Sequence, residues 1–246
     1  MKLKLNIPTT LDNVTLRAYK KYHKLQNEIE DIKLLKAQMI HIFCNVSLKD
    51  VYNMRYNDSE EVISILNDLF IETPKLVTKF NLNGVDYGFH TNLDEMSLGE
   101  YIDLDTYIGD WDNIEKAMNV LYRPITAKYK TKYSIDEYKV DTVENILDMP
   151  MSAVTSSIFF FVEFRNRLVK DYEEIFGEGT RGGLDRVSQL ASKWGWYQSV
   201  YELAGGDVTR LEDITELGMH KCFTMLAYKK ERAEVEAIEL KKNFKK

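Results

Sequence analysis

The chain has 246 residues, 44% of them hydrophobic and 29% charged; this is the make-up of a folded protein with a real core, in one large domain or two small ones. A formal charge of -6 argues against wholesale nucleic-acid binding, which needs a basic face to neutralise phosphates. The longest apolar run, Ile158 to Val162, is ended by Glu163 far short of a membrane span.

The N-terminal MKLKLNIPTT lacks the apolar core of a secretory signal, so cytoplasmic residence is the expectation. Cys44 and Cys222 stand alone without CxxC spacing, which predicts buried thiols in a reducing compartment. Lys2 to Ile7 alternates apolar and polar residues and predicts a short strand ended by Pro8. Thr15 or Asn13 then caps a helix, LRAYKKYHKLQNE, with Leu16, Tyr19, Tyr22 and Leu25 on one face. Its basic flank, Arg17, Lys20, Lys21 and Lys24, reads first as solvated helix surface and only second as a phosphate-binding patch. Ile32 to Phe43 predicts a second helix. Ser47 caps a short third, and Asp58 or Ser59 opens a fourth that Thr73-Pro74 closes. Short helices with short connections predict a compact helical lobe.

Phe80 to Phe89 carries the clearest local signal, because Asn83-Gly84 tolerates the positive φ angles of a type I′ hairpin turn. Two strands alone are marginal, and Lys2 to Ile7 is the expected third. Ser97 and Glu100 fit a capping box at the head of a short helix. A further helix starts at Asp110 or Asp112 and must stop at Arg123-Pro124. Lys128 to Tyr138, polar and rich in tyrosine, predicts an exposed connection between lobes.

After Pro150 comes the longest apolar helix, with Val154, Ile158, Phe161, Phe164 and Leu168 on its face and Phe159 and Phe160 thickening it. The glycine-rich run Gly177 to Gly183 predicts a flexible loop and fits neither a dinucleotide fingerprint nor a P-loop. A helix from about Leu184 to Ala204 carries KWGWY and ends at Gly205-Gly206. Asp207 or Thr209 caps a short turn, and Thr215 opens a terminal helix whose tail from Lys229 lacks an apolar stripe wide enough for a core. The expected fold is therefore mainly α: a multi-helix bundle with a small β-hairpin or three-stranded sheet near Phe80 to Phe89. Residues 1–127 form an N-terminal helical lobe with the central hairpin, 128–149 the connection, and 150–246 a C-terminal lobe with a projecting terminal helix.

No motif predicts catalysis. His23, His41, His90 and His220 are scattered, without HExxH spacing. Asp94, Glu95, Glu100, Asp103, Asp105, Asp110 and Asp112 are dense enough to suggest calcium or magnesium, but they do not follow the EF-hand pattern, so caps and solvated surface are the reading. No cofactor and no metal are expected. Two other classes stand beside a binding protein: a nucleic-acid-associated regulatory module using the basic flank and lysine tail, and a hydrolase with metal near Asp103 and Asp105.

Three blocks, EYIDLDTYIGDWDNIEKAMNVLYRPI, MPMSAVTSSIFFFVEF and KWGWYQSVYELAGGDVTRLEDITELGMHKCFTMLAYKKE, resemble proteins of the structural gene clusters of tailed bacteriophages, including crAss-like phages. The nearest functional group is the tail assembly chaperone and baseplate-assembly proteins. The resemblance spans about two thirds of the chain and implies a non-enzymatic role in virion assembly. Its partners would be portal, connector, tail or baseplate subunits, met in the host cytoplasm or in the particle, with self-association left open. The family brings no catalytic residues. Expected partner contacts rest on exposed aromatics and their neighbours: Tyr101, Asp103, Trp111, Tyr122 and Arg123 in the central block, and Trp194, Trp196 and Tyr197 in the later one.

Overall fold

The computed structural model describes residues 4–130, 132–140, 144–176 and 194–243. Among them are eleven α-helices and one four-stranded antiparallel sheet, so the fold is mainly α. They fall into two compact units, residues 1–91 with 106–160 and residues 92–105 with 161–246.

In the first unit, α1 (Leu16–Glu28) is capped by Thr15, whose hydroxyl accepts from the Ala18 amide at 3.2 Å. The cap removes one of the orphan amides at a helix start. Asp31 does the same for α2 (Ile32–Phe43) and Ser47 for α3 (Leu48–Tyr52). The fourth helix, α4 (Tyr56–Ile71), begins earlier than Asp58, with Arg55 at its N-cap position. Helix α2 packs on α1, α3 and α4, burying Tyr22, Met39, Ile40, Phe43 and Leu66.

The sheet runs in the order β1 (Lys79–Leu82), β2 (Val85–Phe89), β3 (Tyr122–Tyr129), β4 (Lys132–Ile135). Asn83 and Gly84 close the hairpin with φ of 51° and 85°, the left-handed pair that a type I′ turn requires. Two expectations are corrected here. Residues 4–7 are not strand, while 1–3 lie outside the described residues; the sheet is completed instead by β3 and β4. Lys128 to Tyr138 is in part these two paired strands rather than connecting chain. Pro124 does end α6 (Ile114–Leu121), and a residue before proline is pushed to extended backbone, so Arg123 enters β3 opposite Gly88.

One long helix, α7 (Met151–Asp171), supplies residues 151–160 to the first unit and 161–171 to the second. Val154, Phe161 and Leu168 are buried as their spacing predicts. Phe159 and Phe160 are 52% and 40% exposed: Phe159 sits away from the buried stripe, and Phe160 lies at its edge with its ring on Phe89.

In the second unit, α5 (Leu98–Tyr107) opens with the expected capping box. Glu100 N–H donates to Ser97 Oγ at 3.2 Å, and Ser97 N–H donates to the Glu100 carboxylate at 2.9 Å. After α7 come α8 (Glu173–Phe176), α9 (Trp196–Leu203), α10 (Leu211–Glu216) and α11 (Met219–Asn243). The Gly177 to Gly183 loop and the start of the helix expected from Leu184 lie outside the described residues. The terminal helix does not begin at Thr215: α10 ends, Gly218 bridges to Ser97, and α11 starts anew at Met219. Two bonds fix that junction, Leu98 N–H to Leu217 O at 2.7 Å and Met219 N–H to Met96 O at 3.0 Å. Helix α11 packs on α8 and α9 through Met219, Cys222, Phe223 and Leu226, and its residues from 231 to 243 are exposed.

Candidate interaction surface

Three of the five candidates in the central block are buried. Tyr101 is fully buried, its ring 5.2 Å from Phe223 and 5.6 Å from Trp196. Burial drives its phenol well above the ordinary value. Tyr122 is also fully buried, and its hydroxyl donates to the Val77 carbonyl at 2.7 Å. Arg123 is buried in the sheet and Asp103 is half-buried. Trp111 is half-buried against Tyr19 and His23, with ring centroids at 4.8 and 5.4 Å. Tyr101, Tyr122 and Arg123 are thus corrected from exposed contacts to core, because each lies on the inward face of its element.

The later block divides in two. Trp196 is an anchor: its Nε1 donates to Asp105 Oδ2 at 3.1 Å and its ring stacks on Phe223 at 5.8 Å. Asp105 Oδ1 accepts from Arg165 Nε at 2.6 Å, so that carboxylate is committed to the frame. With Val200 and Ala204, both buried, Trp196 makes the inner face of α9. Trp194 just before the helix, and Tyr197 and Tyr201 on its more exposed side, are 46%, 48% and 41% exposed. Their rings form a continuous row, 5.7 Å between the first pair and 6.3 Å between the second, the latter stacked. Tyr201 was not among the sequence candidates; its signal was the step of four from Tyr197, which puts both on one helical face.

A polar cluster in the same unit was also missed, because its members are far apart in sequence. Asp94 accepts from Arg167 at 3.0 Å and lies 3.1 Å from His220 Nε2, while His220 Nδ1 lies 2.8 Å from the Tyr172 hydroxyl. An ionised carboxylate only accepts, so the hydrogen bond to Asp94 needs a proton on Nε2. The chain ties α7 and α11 to the turn bearing Asp94. Beyond it, His220, Lys221, Thr224, Met225 and Tyr228 line an open groove of about 550 Å³ on α11.

The acidic residues otherwise act as caps and pair partners. Asp110 accepts from the Asn113 side chain at 2.8 Å, which holds its carboxyl below the usual range. Among the described residues no group of three or more His, Cys, Asp or Glu side chains is placed to hold a metal ion. On the basic flank Arg17 makes two bonds to Asp148, Lys20 pairs with Glu115, and Lys24 lies 3.8 Å from Glu28. Both cysteines are buried thiols. No described helix is long and apolar enough to cross a membrane.

Comparison with protein-family models, with curated proteins and with solved structures finds no match to this chain.

Proposed function

We propose that this chain is a non-enzymatic protein of tailed-phage particle assembly that binds other virion or tail proteins in the host cytoplasm. The observation that carries the binding role is the exposed row of Tyr197 and Tyr201 on α9 with Trp194 just before it, beside the face that Trp196 locks. Aromatic rings supply large contact area at little cost in side-chain entropy, and Trp and Tyr dominate the energetics of protein interfaces. A rigid mount adds to this, because a preorganised surface loses less freedom on binding. The assignment to phage assembly rests on the resemblance in the three blocks. Within it, the chain is a tail or connector assembly factor; its alternative is a ring, connector or packaged component retained in the particle. The basic flank favours neither.

The test is a photo-crosslinking residue at Tyr197 in cells making particles, with mass spectrometry of assembly intermediates and of purified particles. An adduct with a portal, connector, tail or baseplate subunit is the expected result. Absence of the chain from purified particles makes it a transient factor, and stoichiometric presence makes it a component. No adduct with any structural protein, together with absence from intermediates and particles, overturns the proposal.

A further inference from the structure

The outward side of α11 carries a second pattern, independent of the aromatic row. Opposite the buried stripe lie Lys221, Met225, Tyr228, Arg232, Val235 and Glu239, all exposed. Their steps are four, three, four, three and four residues, the spacing that keeps one seam on a helix facing a partner helix. Read from either end the steps are the same. A seam of this kind can meet a copy of itself only if each residue suits its mirror mate, and here each does. When two copies of α11 lie antiparallel about a two-fold axis level with Lys230, Lys221 faces Glu239, Met225 faces Val235, and Tyr228 faces Arg232. The first pair is an ion pair, the second an apolar layer, and the third a guanidinium over an aromatic ring. The axis repeats each pair, so the seam has six layers over about 27 Å of helix.

We infer that α11 is a self-association surface through which two copies of this chain pair antiparallel. Three observations besides the register support a second copy as the occupant. Lys221 and Glu239, the charges at the two ends of the seam, have no ion-pair partner among the described residues. The groove beside Lys221, Met225 and Tyr228 is open, and the register brings the partner's Val235 and Ile238 to it. Val235 and Ile238 are about half exposed, which leaves apolar surface on the lysine- and glutamate-rich tail of the helix. The existing Arg232 to Glu236 pair at 2.7 Å is no obstacle, since an exposed i,i+4 pair is weak and salt-screened. Two helices make a small interface, so the dimer is weak, with Kd in the range of about 10–100 µM.

Sedimentation of the full chain from about 10 µM to about 1 mM tests this. The wild-type chain is expected to move from monomer to dimer across that range. Lys221→Glu and Glu239→Lys, each placing like charges face to face, should weaken pairing at least tenfold, and the double exchange should restore it. A Met225→Cys, Val235→Cys double variant should form a disulfide-linked dimer on mild oxidation, which neither single variant matches. These positions are exposed, so circular dichroism should be unchanged. A chain monomeric throughout the range, an association indifferent to both charge reversals, or a double exchange that fails to restore pairing overturns the inference.

Discussion

Tyr122 is fully buried, so its hydroxyl has to find acceptors inside the protein, and it reaches the carbonyls of Val77 at 2.7 Å and Ala153 at 3.2 Å. These bonds tie the start of β3 to the chain before β1 and to the first turn of α7. Tyr122→Phe removes the donor and leaves the shape, and should lower the unfolding free energy by about 1 kcal/mol, read as a lower urea midpoint at unchanged slope. Cys44 offers a different measurement. Burial pushes its thiol from the ordinary 9.0 up to about 11, so the folded state holds the proton after the unfolded chain has released it. Stability from this group is whole below pH 9 and falls as pH rises toward 11, because folding there requires the thiolate to take up a proton. Urea titrations at pH 8 and pH 10.5 should show the wild-type chain losing about 2 kcal/mol more than Cys44→Ala over that interval. Equal losses would mean that the thiol is reached by water.

The sheet depends on a glycine as an element depends on a hinge. A Cβ at Gly88 would stand 2.3 Å from Cε2 of Tyr133, whose hydroxyl reaches past it to the carbonyls of Thr78 at 3.0 Å and Phe89 at 2.8 Å. Gly88→Ala should therefore cost about 1–3 kcal/mol as overpacking. Adding Tyr133→Ala should make the two losses less than additive, a coupling that a double-mutant cycle measures. The sequence marks Gly88 only as a glycine in a strand, and its partner lies 45 residues on. That distance separates what could be read from what could not. The Asn83-Gly84 turn and the Ser97 and Glu100 box each place donor, acceptor and backbone angle within four residues, so local chemistry decides them. Strand β3 is decided by pairing with β2 and β4 by pairing with β3, and their polar, tyrosine-rich alternation also suits a loop. Tyr101 and Tyr122 were legible as large rings but not as core, since an aromatic residue marks a place of close packing whether the neighbour is the same chain or another. Trp194 and Trp196 pose the same problem two residues apart, and only the α9 frame sorts them.

For the molecule as a whole, the two faces of α9 separate the protein's own stability from its capacity to bind. Trp196 donates to Asp105, stacks on Phe223 and meets Tyr101 edge-on, so Trp196→Ala strips the contacts of a half-buried ring and leaves an acceptor short, and should destabilise by about 2–3 kcal/mol. Tyr197 and Tyr201 stack on each other at the surface. Replacing both by alanine removes ring area that water already reaches, so stability should change by less than about 1 kcal/mol. If the row is the partner contact, the same double substitution should lower crosslinking to the assembly partner at least tenfold, as the loss of two interface tyrosines does. The decisive measurement is the pair of readouts on one variant, urea midpoint beside crosslink yield from a probe at Trp194. A kept midpoint with lost yield assigns the outer face to binding. A fall in midpoint to match that of Trp196→Ala would make the row internal packing, and the binding role would have to move to another surface.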